Sequence, residues 1–388
     1  MEVAASAAER SQATLPNGTV QLGSEQRKIE LCCEVQLNTA AQAELQVIHE
    51  AVTAWLASSG LTVALGRHDP QLLEIPLLER ACSSIRIEQA LHRSSMMQVQ
   101  LPGDTRHKRS YTAFMGKCKT SLESNPVVLP YCQVHMTVLP YVLHVGAEEA
   151  GMPEAGDEGR AYAFNKWVLP NIEFESLWEN LHFDEAIKEI LLEYTSAALL
   201  FADKNVDPKL ITWNRVLLLH GPPGSGKTSL CRALAQKLSI RLSQRFSSSL
   251  FLSINSPALF SRWFSESGKM VAKVFSEIRG MLQNKDCLVV VLIDEVESLS
   301  ASRAAAASNE PSDSVRVVNA LLTQIDMFSR FPNALVLTTS NLAGNCDAAF
   351  IDRADLKLYI PSPSPHCRRK ILLDCTKELV SLKSSAPK

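Results

Sequence analysis

Eight residues constrain this chain more than any others: Gly221-Pro222-Pro223-Gly224-Ser225-Gly226-Lys227-Thr228, which satisfy G-x-x-x-x-G-K-[ST]. The apolar stretch Val216-Leu-Leu-Leu219 precedes them, within a strand expected over Arg215–His220. After them, Leu230, Ala233, Leu234 and Leu238 fall on one face of a helix. Strand, glycine turn and helix in that order form a phosphate cradle: glycines let backbone N–H groups turn inward, and the helix N-terminus adds positive potential. Lys227 is placed to reach the β- and γ-phosphates of a bound ATP, and the Thr228 hydroxyl to coordinate Mg²⁺.

The other half of such a site needs acid at the end of a neighbouring strand. The run Val289-Val-Val-Leu-Ile-Asp294-Glu295 supplies it. Asp294 is positioned to hold Mg²⁺ and Glu295 to orient and deprotonate the attacking water. Asn341 ends a third apolar run, Leu335-Val-Leu-Thr-Thr-Ser-Asn341, from which its amide can reach the water or the γ-phosphate. No Asn-Lys-x-Asp element appears, which argues against guanine recognition.

Around this centre the chain reads as α/β. A helix near Asp184–Leu200 leads to the strand at Arg215–His220, and apolar strands at Leu250–Ile254, Leu288–Ile293, Ala334–Thr338 and Leu356–Ile360 alternate with amphipathic helices. That pattern predicts a parallel sheet covered on both faces. The 388 residues divide into a polar tail (1–27), a small α+β N-terminal domain (28–145) and a glycine-bearing acidic linker (146–163). The large ATPase domain (164–366) and a last helical segment (367–388) follow. In the N-terminal domain, Lys28–Leu37 reads as a strand, and Thr39-x-x-Gln42 as a capping box opening a helix through Leu45, Ile48, Val52 and Leu56. Residues 92–126 lose periodicity.

Composition excludes rather than identifies. With 46% hydrophobic and 21% charged residues, the chain has the makings of a core, and a formal net charge of −2 gives no global pull toward nucleic acid or a membrane. The longest apolar run, Cys287–Ile293, is too short to span a bilayer, and no secretory signal opens the chain. Ten scattered cysteines without a Cys-x-x-Cys pair fit reduced thiols of the cytosol or nucleus.

The segments GPPGSGKT, LIDEVES and TTSN, with an arginine after them, resemble AAA+ ATPases in order and spacing. Within them NKWVLP (165–170), LLFADKNVDPKLITWNRVLLLHGPPGSGKTSLCRALAQKLSIRLS (199–243), FSRWFSESGKMV (260–271) and FIDRADLKLYI (350–360) resemble the pachytene-checkpoint branch, densely over 164–375. The N-terminal part resembles that branch's substrate-recognition domain more weakly. The resemblance implies an ATP-hydrolysing ring, a homo-hexamer, that remodels HORMA-domain proteins of meiotic chromosome axes and the spindle checkpoint. A HORMA-like adaptor can deliver substrate, in the nucleus and the cytoplasm, with no direct contact to nucleic acid or membrane. It makes Arg262, Trp263 and Phe264 the first pore loop and Asp313–Val318, with Arg316, the second. Arg353 becomes the arginine finger offered to a neighbouring subunit. Relative to the family, 92–126 resembles an insertion, and 367–388 holds only the start of a helical lid. That short lid motivates an alternative, a non-hydrolysing nucleotide-binding interaction protein of meiotic chromosomes; a clamp-loader-like protein on DNA is a third reading.

Overall fold

A computed structural model describes residues 29–58, 62–90, 128–130, 134–150, 164–184, 186–204, 206, 214–254, 267–297, 312–341 and 348–384. Two sheets organise them. The first has the order β3-β4-β1-β6, where β1 is Ile29–Leu37, β3 Gly66–His68, β4 Cys82–Gln89 and β6 Val134–Val142. Strand β1 runs antiparallel to β4 and parallel to β6. A short pair, β2 (Thr62–Ala64) and β5 (Val128–Pro130), stands beside it. Because side chains alternate along a strand, Leu31, Cys33, Val35 and Leu37 of β1 enter a core with Ile48, Val52 and Leu56 of helix α1 (Leu45–Ser58) and Leu78 of α2 (Pro76–Ala81). Cys32 and Glu34 point to the opposite face.

One local expectation fails here. Thr39–Glu44 forms a 3₁₀ turn, and α1 starts only at Leu45. The residue before the turn, Asn38, makes no side-chain cap. Its amide instead donates to the Arg80 carbonyl at 2.9 Å, tying the end of β1 to α2.

The second sheet has seven strands in the order β13-β9-β12-β11-β10-β8-β7. These are β7 (Glu148–Ala150), β8 (Phe164–Leu169), β9 (Val216–His220), β10 (Ser248–Ile254), β11 (Cys287–Ile293), β12 (Ala334–Ser340) and β13 (Leu356–Tyr359). The five strands from β13 to β10 are parallel, and the central β11 is apolar throughout, as a strand covered on both faces is. The outer two are antiparallel. Strand β7 lies inside the stretch read as a linker, whose residues 151–163 are outside the described ones.

Helices cover both faces. Even-numbered positions of β9 (Val216, Leu218) and odd-numbered positions of β11 (Val289, Val291, Ile293) pack against α6 (Ser267–Leu282) and α7 (Ser312–Phe328). The alternate residues, Leu217, Leu219, Leu288, Val290 and Leu292, pack against α4 (Ile187–Asp203) and α5 (Lys227–Arg241). The remaining α-helices among the described residues are α3 (Leu177–Asn180), α8 (Ala348–Arg353) and α9 (Pro365–Ser384). None of the described helices is long and apolar enough to cross a membrane. Asp313–Val318, expected as a second pore loop, is helical and forms the opening turns of α7.

The two units meet on α5. Glu34 of β1 and Glu88 of β4 face Lys237 and Arg241, one helical turn apart. Lys237 Nζ lies 2.7 Å from Glu34 and 2.9 Å from Glu88, and Arg241 lies 2.8 Å from each. Side-chain exposure is 3% for Lys237 and Glu34, 5% for Arg241 and 28% for Glu88. Cys32, Leu139 and Ile240 seal the junction with an apolar contact.

Candidate functional site

The strand order sets the site. From β9 the chain crosses to β10, three positions away, and from β12 it crosses to β13 on the other side of β9. The carboxyl ends of β9, β12 and β11 therefore surround a topological switch point, where open α/β sheets bind ligands.

The turn after β9 is built from glycines for identifiable reasons. Gly221 brings its backbone so close to β13's end that an added Cβ would stand 2.1 Å from the Ile360 carbonyl oxygen. Gly224 and Gly226 adopt φ of 76° and 90°, left-handed values that favour residues without a Cβ. Helix α5 then starts at Lys227 with no side-chain cap, so its first N–H groups are open to an anion. Ser225 Oγ is buried with no hydrogen-bond partner among the described residues, a polar atom this loop has not used internally.

Lys227 is buried, and its ammonium donates to the carbonyls of Gly221 at 3.0 Å and Pro222 at 2.8 Å. Burial lowers its pKa from the ordinary lysine value, while the carboxylates of Glu297, Asp294 and Glu295 oppose that shift. Next to it, the Thr228 hydroxyl lies 3.0 and 3.1 Å from the two Asp294 oxygens. The P-loop helix and the acidic turn after β11 thus meet through a hydroxyl and a carboxylate. These are hard oxygen donors of the kind Mg²⁺ selects when it also takes phosphate oxygens. Together with the orphan Ser225 hydroxyl and the open helix end, this donor set fits a magnesium nucleotide.

Strand β12 lies between β9 and β11 and ties the site together. Thr339 Oγ1 contacts Asp294 and accepts the Glu295 N–H at 3.1 Å, and its carbonyl accepts the Val296 N–H at 3.0 Å. These bonds hold Glu295 at φ 55°, a left-handed conformation costing a non-glycine residue about 1–3 kcal/mol. Strain of that size, over-determined by its neighbours, presents the exposed Glu295 carboxylate beyond the strand end. Asn341 follows β12 directly, and its backbone N–H donates to Glu297 Oε1 at 3.1 Å.

Gly221–Thr228, Asp294, Glu295 and Asn341 are therefore brought to one end of the sheet. Arg353 is engaged at the end of α8: its guanidinium grips Asp326 of α7 at 2.7 and 2.9 Å and donates to the Ala349 carbonyl. Asp355 is committed to the backbone, accepting from Asn214 at 2.8 Å and Val216 at 3.3 Å, and burial raises its pKa despite those bonds. Arg262, Trp263 and Phe264 lie outside the described residues.

Three participants escape a motif reading: Thr339, Glu297 and Asp326. Thr339 and Glu297 do stand within short segments that carry the motif, Thr-Thr-Ser-Asn341 and Asp294-Glu-Val-Glu297, so position beside a known element is their signal. Asp326 has none, since its partner is 27 residues away.

Comparison with known proteins agrees with this geometry. The model of the ATPase family associated with various cellular activities (AAA) matches residues 217–362. A pachytene checkpoint protein 2 homolog of Oryza sativa subsp. indica is 45% identical over 325 residues, 80% of this chain and 68% of the relative. The homolog of Homo sapiens is 51% identical over 267 residues, 69% of this chain and 61% of the relative. A solved structure of C. elegans PCH-2 covers 91% of this chain and 78% of its own, with a TM-score of 0.62 at 32% identity. Fold, site and match define an AAA-class P-loop protein. More narrowly, the chain belongs to the pachytene checkpoint protein 2 homolog family. It spans between 52% and 68% of the length of the curated relatives it matches.

Proposed function

We propose that this chain binds ATP with Mg²⁺, hydrolyses it, and uses the cycle to remodel HORMA-domain proteins that act on meiotic chromosome axes and in the spindle checkpoint. The observation that carries the nucleotide reading is the contact of Thr228 with Asp294, which joins a phosphate-binding turn to an acidic strand end. Family membership supports the rest.

In this reading the amides of Gly224–Thr228 and the N-terminus of α5 cradle phosphate oxygens, and Lys227 gives up its carbonyl contacts to neutralise their charge. Thr228 and Asp294 would hold Mg²⁺, which when bound neutralises charge developing on the transferred phosphoryl oxygens. Glu295 accepts the proton of the attacking water, and Asn341 orients that water from the adjacent strand tip. Arg353 completes the site of a neighbouring subunit in a homo-hexamer. Its position on α8, between α7 and the edge strand β13, suits a surface turned toward a neighbour. Arg262, Trp263 and Phe264 grip an extended substrate in the ring's pore, with delivery by a HORMA-like adaptor, in the nucleus (including the synaptonemal complex) and the cytoplasm.

The test combines turnover, assembly and substrate. Purified protein should hydrolyse ATP and sediment as a hexamer with nucleotide, and a HORMA-domain protein should stimulate it. Glu295→Gln should keep nucleotide and lose turnover by about a hundredfold or more, the scale of removing a general base. Lys227→Ala should lose nucleotide binding itself. Full turnover in Glu295→Gln would remove the assigned base. A monomer that binds ATP without hydrolysing it would instead leave a nucleotide-dependent interaction protein.

A further inference from the structure

The turn after β11 carries three carboxylates, Asp294, Glu295 and Glu297, and the reaction described above uses two. Glu297 has no role in it, yet it is the more unusual group. One oxygen, Oε1, accepts the backbone N–H of Asn341 at 3.1 Å. The other, Oε2, is buried and has no hydrogen-bond partner among the described residues. Burying a carboxylate oxygen unpaired is costly, so native structures do so only where something compensates. Part of the compensation is electrostatic. Of the carboxylates acting on the Lys227 ammonium, Glu297 exerts the largest effect, ahead of Asp294 and Glu295. Among the described residues the side chain makes a single hydrogen bond, and that bond ends on Asn341.

The surrounding pattern gives that bond its meaning. Thr339 fastens the start of the acidic turn to β12 through Asp294, Glu295 and Val296. Those contacts leave the last residue of the β12 tip, Asn341, beyond the ladder. The Asn341 N–H to Glu297 bond closes the gap, so the backbone at Asn341 is referenced to the same turn that presents Glu295. Two groups that must address one water molecule would then share a rigid frame instead of projecting from two independent loops.

We propose that Glu297 is a positioning residue for the nucleotide reaction. By accepting the Asn341 N–H, it fixes the tip of β12 against the acidic turn, and so sets the Asn341 side chain relative to Glu295. This rests on the ATPase reading above for its catalytic consequence, but not for its geometry. Because Glu297 acts through Asn341, it governs the chemical step more than nucleotide affinity.

The experiment compares Glu297→Ala, Glu297→Gln, Asn341→Ala and the double variant Glu297→Ala/Asn341→Ala in steady-state ATP hydrolysis, with hydrogen–deuterium exchange of the Asn341 amide in each. Glutamine keeps an oxygen acceptor for the N–H and removes only charge. Glu297→Ala should lower kcat by about tenfold to a hundredfold, the scale of displacing a reacting group by an ångström, with KM little changed. Glu297→Gln should recover most of that loss, and Glu297→Ala should cost little further in the Asn341→Ala background. The Asn341 amide should exchange faster in Glu297→Ala than in wild type or Glu297→Gln. Equal losses in the Ala and Gln variants, or a full additional loss in the Asn341→Ala background, would overturn the proposal. If wild-type protein shows no turnover, the ATPase reading falls. The exchange measurement then decides the geometry alone: an Asn341 amide indifferent to Glu297→Ala refutes the fastening of the β12 tip, and one released by it upholds that fastening without the catalytic consequence.

Discussion

Replacing Lys237 by methionine tests whether the N-terminal domain is locked to the nucleotide-binding helix. In the wild-type cluster two acids meet two bases, each base touching both acids within 2.7–2.9 Å, and three of the four side chains are at most 5% exposed. Methionine keeps the length and the apolar stem but deletes one positive charge, so Glu34, itself 3% exposed, retains only Arg241 among the described residues. Leaving a buried charge without its partner costs about 3–5 kcal/mol, against 0–1 kcal/mol for an exposed pair. Urea denaturation followed by circular dichroism should show that loss, and it should persist in high salt because buried pairs are poorly screened. Combining Lys237→Met with Glu34→Gln removes the uncompensated charge, so the double variant should be more stable than the sum of the singles by about 2 kcal/mol. A single-variant loss below about 1 kcal/mol, or strict additivity, would refute a buried, mutually dependent cluster.

Other sites give sharper local outcomes. Gly221→Ala places a Cβ 2.1 Å from the Ile360 carbonyl oxygen, so it should destabilise by about 1–3 kcal/mol in thermal unfolding and weaken nucleotide binding measured by fluorescence titration. Arg215, buried at the start of β9 with its pKa lowered to about 10 by burial, donates to the carbonyls of Phe328, Ser329, Phe331 and Ala334. Arg215→Leu strands those acceptors and should cost about 3 kcal/mol in the same unfolding assay. Burial pushes the Glu88 carboxyl up, but Lys237 and Arg241 outweigh that and leave its pKa lowered. Its stabilisation is therefore present above the ordinary glutamate range and lost as pH falls through the lowered value. Stability measured from neutral pH into acid should fall more steeply in wild type than in Glu88→Gln. Asp326→Asn removes a partly exposed ion pair with Arg353 and should change stability by less than about 1 kcal/mol in urea denaturation.

Much of the nucleotide-binding half is legible in the residues themselves. Strand β11 and the first four residues of β9 and of β12 are unbroken apolar runs, and a residue of the nucleotide motif follows each strand directly: Asp294, Gly221 and Asn341. Such runs read correctly because a strand covered on both faces has no polar side to blur it. The two outer strands were hidden for the opposite reason. β7 is three residues of an acidic stretch, and its strand character comes only from pairing with β8. The capping box failed because the turn opens at Asn38, one residue earlier, and the side-chain oxygen that could cap it accepts from the Ser83 hydroxyl, 45 positions distant. Contacts across such distances leave no periodic trace. The clearest case is the Glu34–Lys237 pair, whose members are separated by 203 positions and look like ordinary surface charges at each end. At the site, residue types are readable because chemistry limits them. The turn that aims Glu295 is not, since its left-handed backbone depends on Thr339 from another strand.

One helix serves two masters. Fifteen residues of α5 extend about 22 Å, from the amides that face phosphate at one end to the side chains gripping Glu34 and Glu88 at the other. An α-helix packed into a core behaves as a stiff rod, so a tilt imposed at either end cannot be absorbed within it. Any swing of the small domain that keeps its hold on Lys237 and Arg241 must therefore drag the phosphate turn along. Any swing that spares the turn must first break four ionic contacts, two of them between side chains at most 5% exposed.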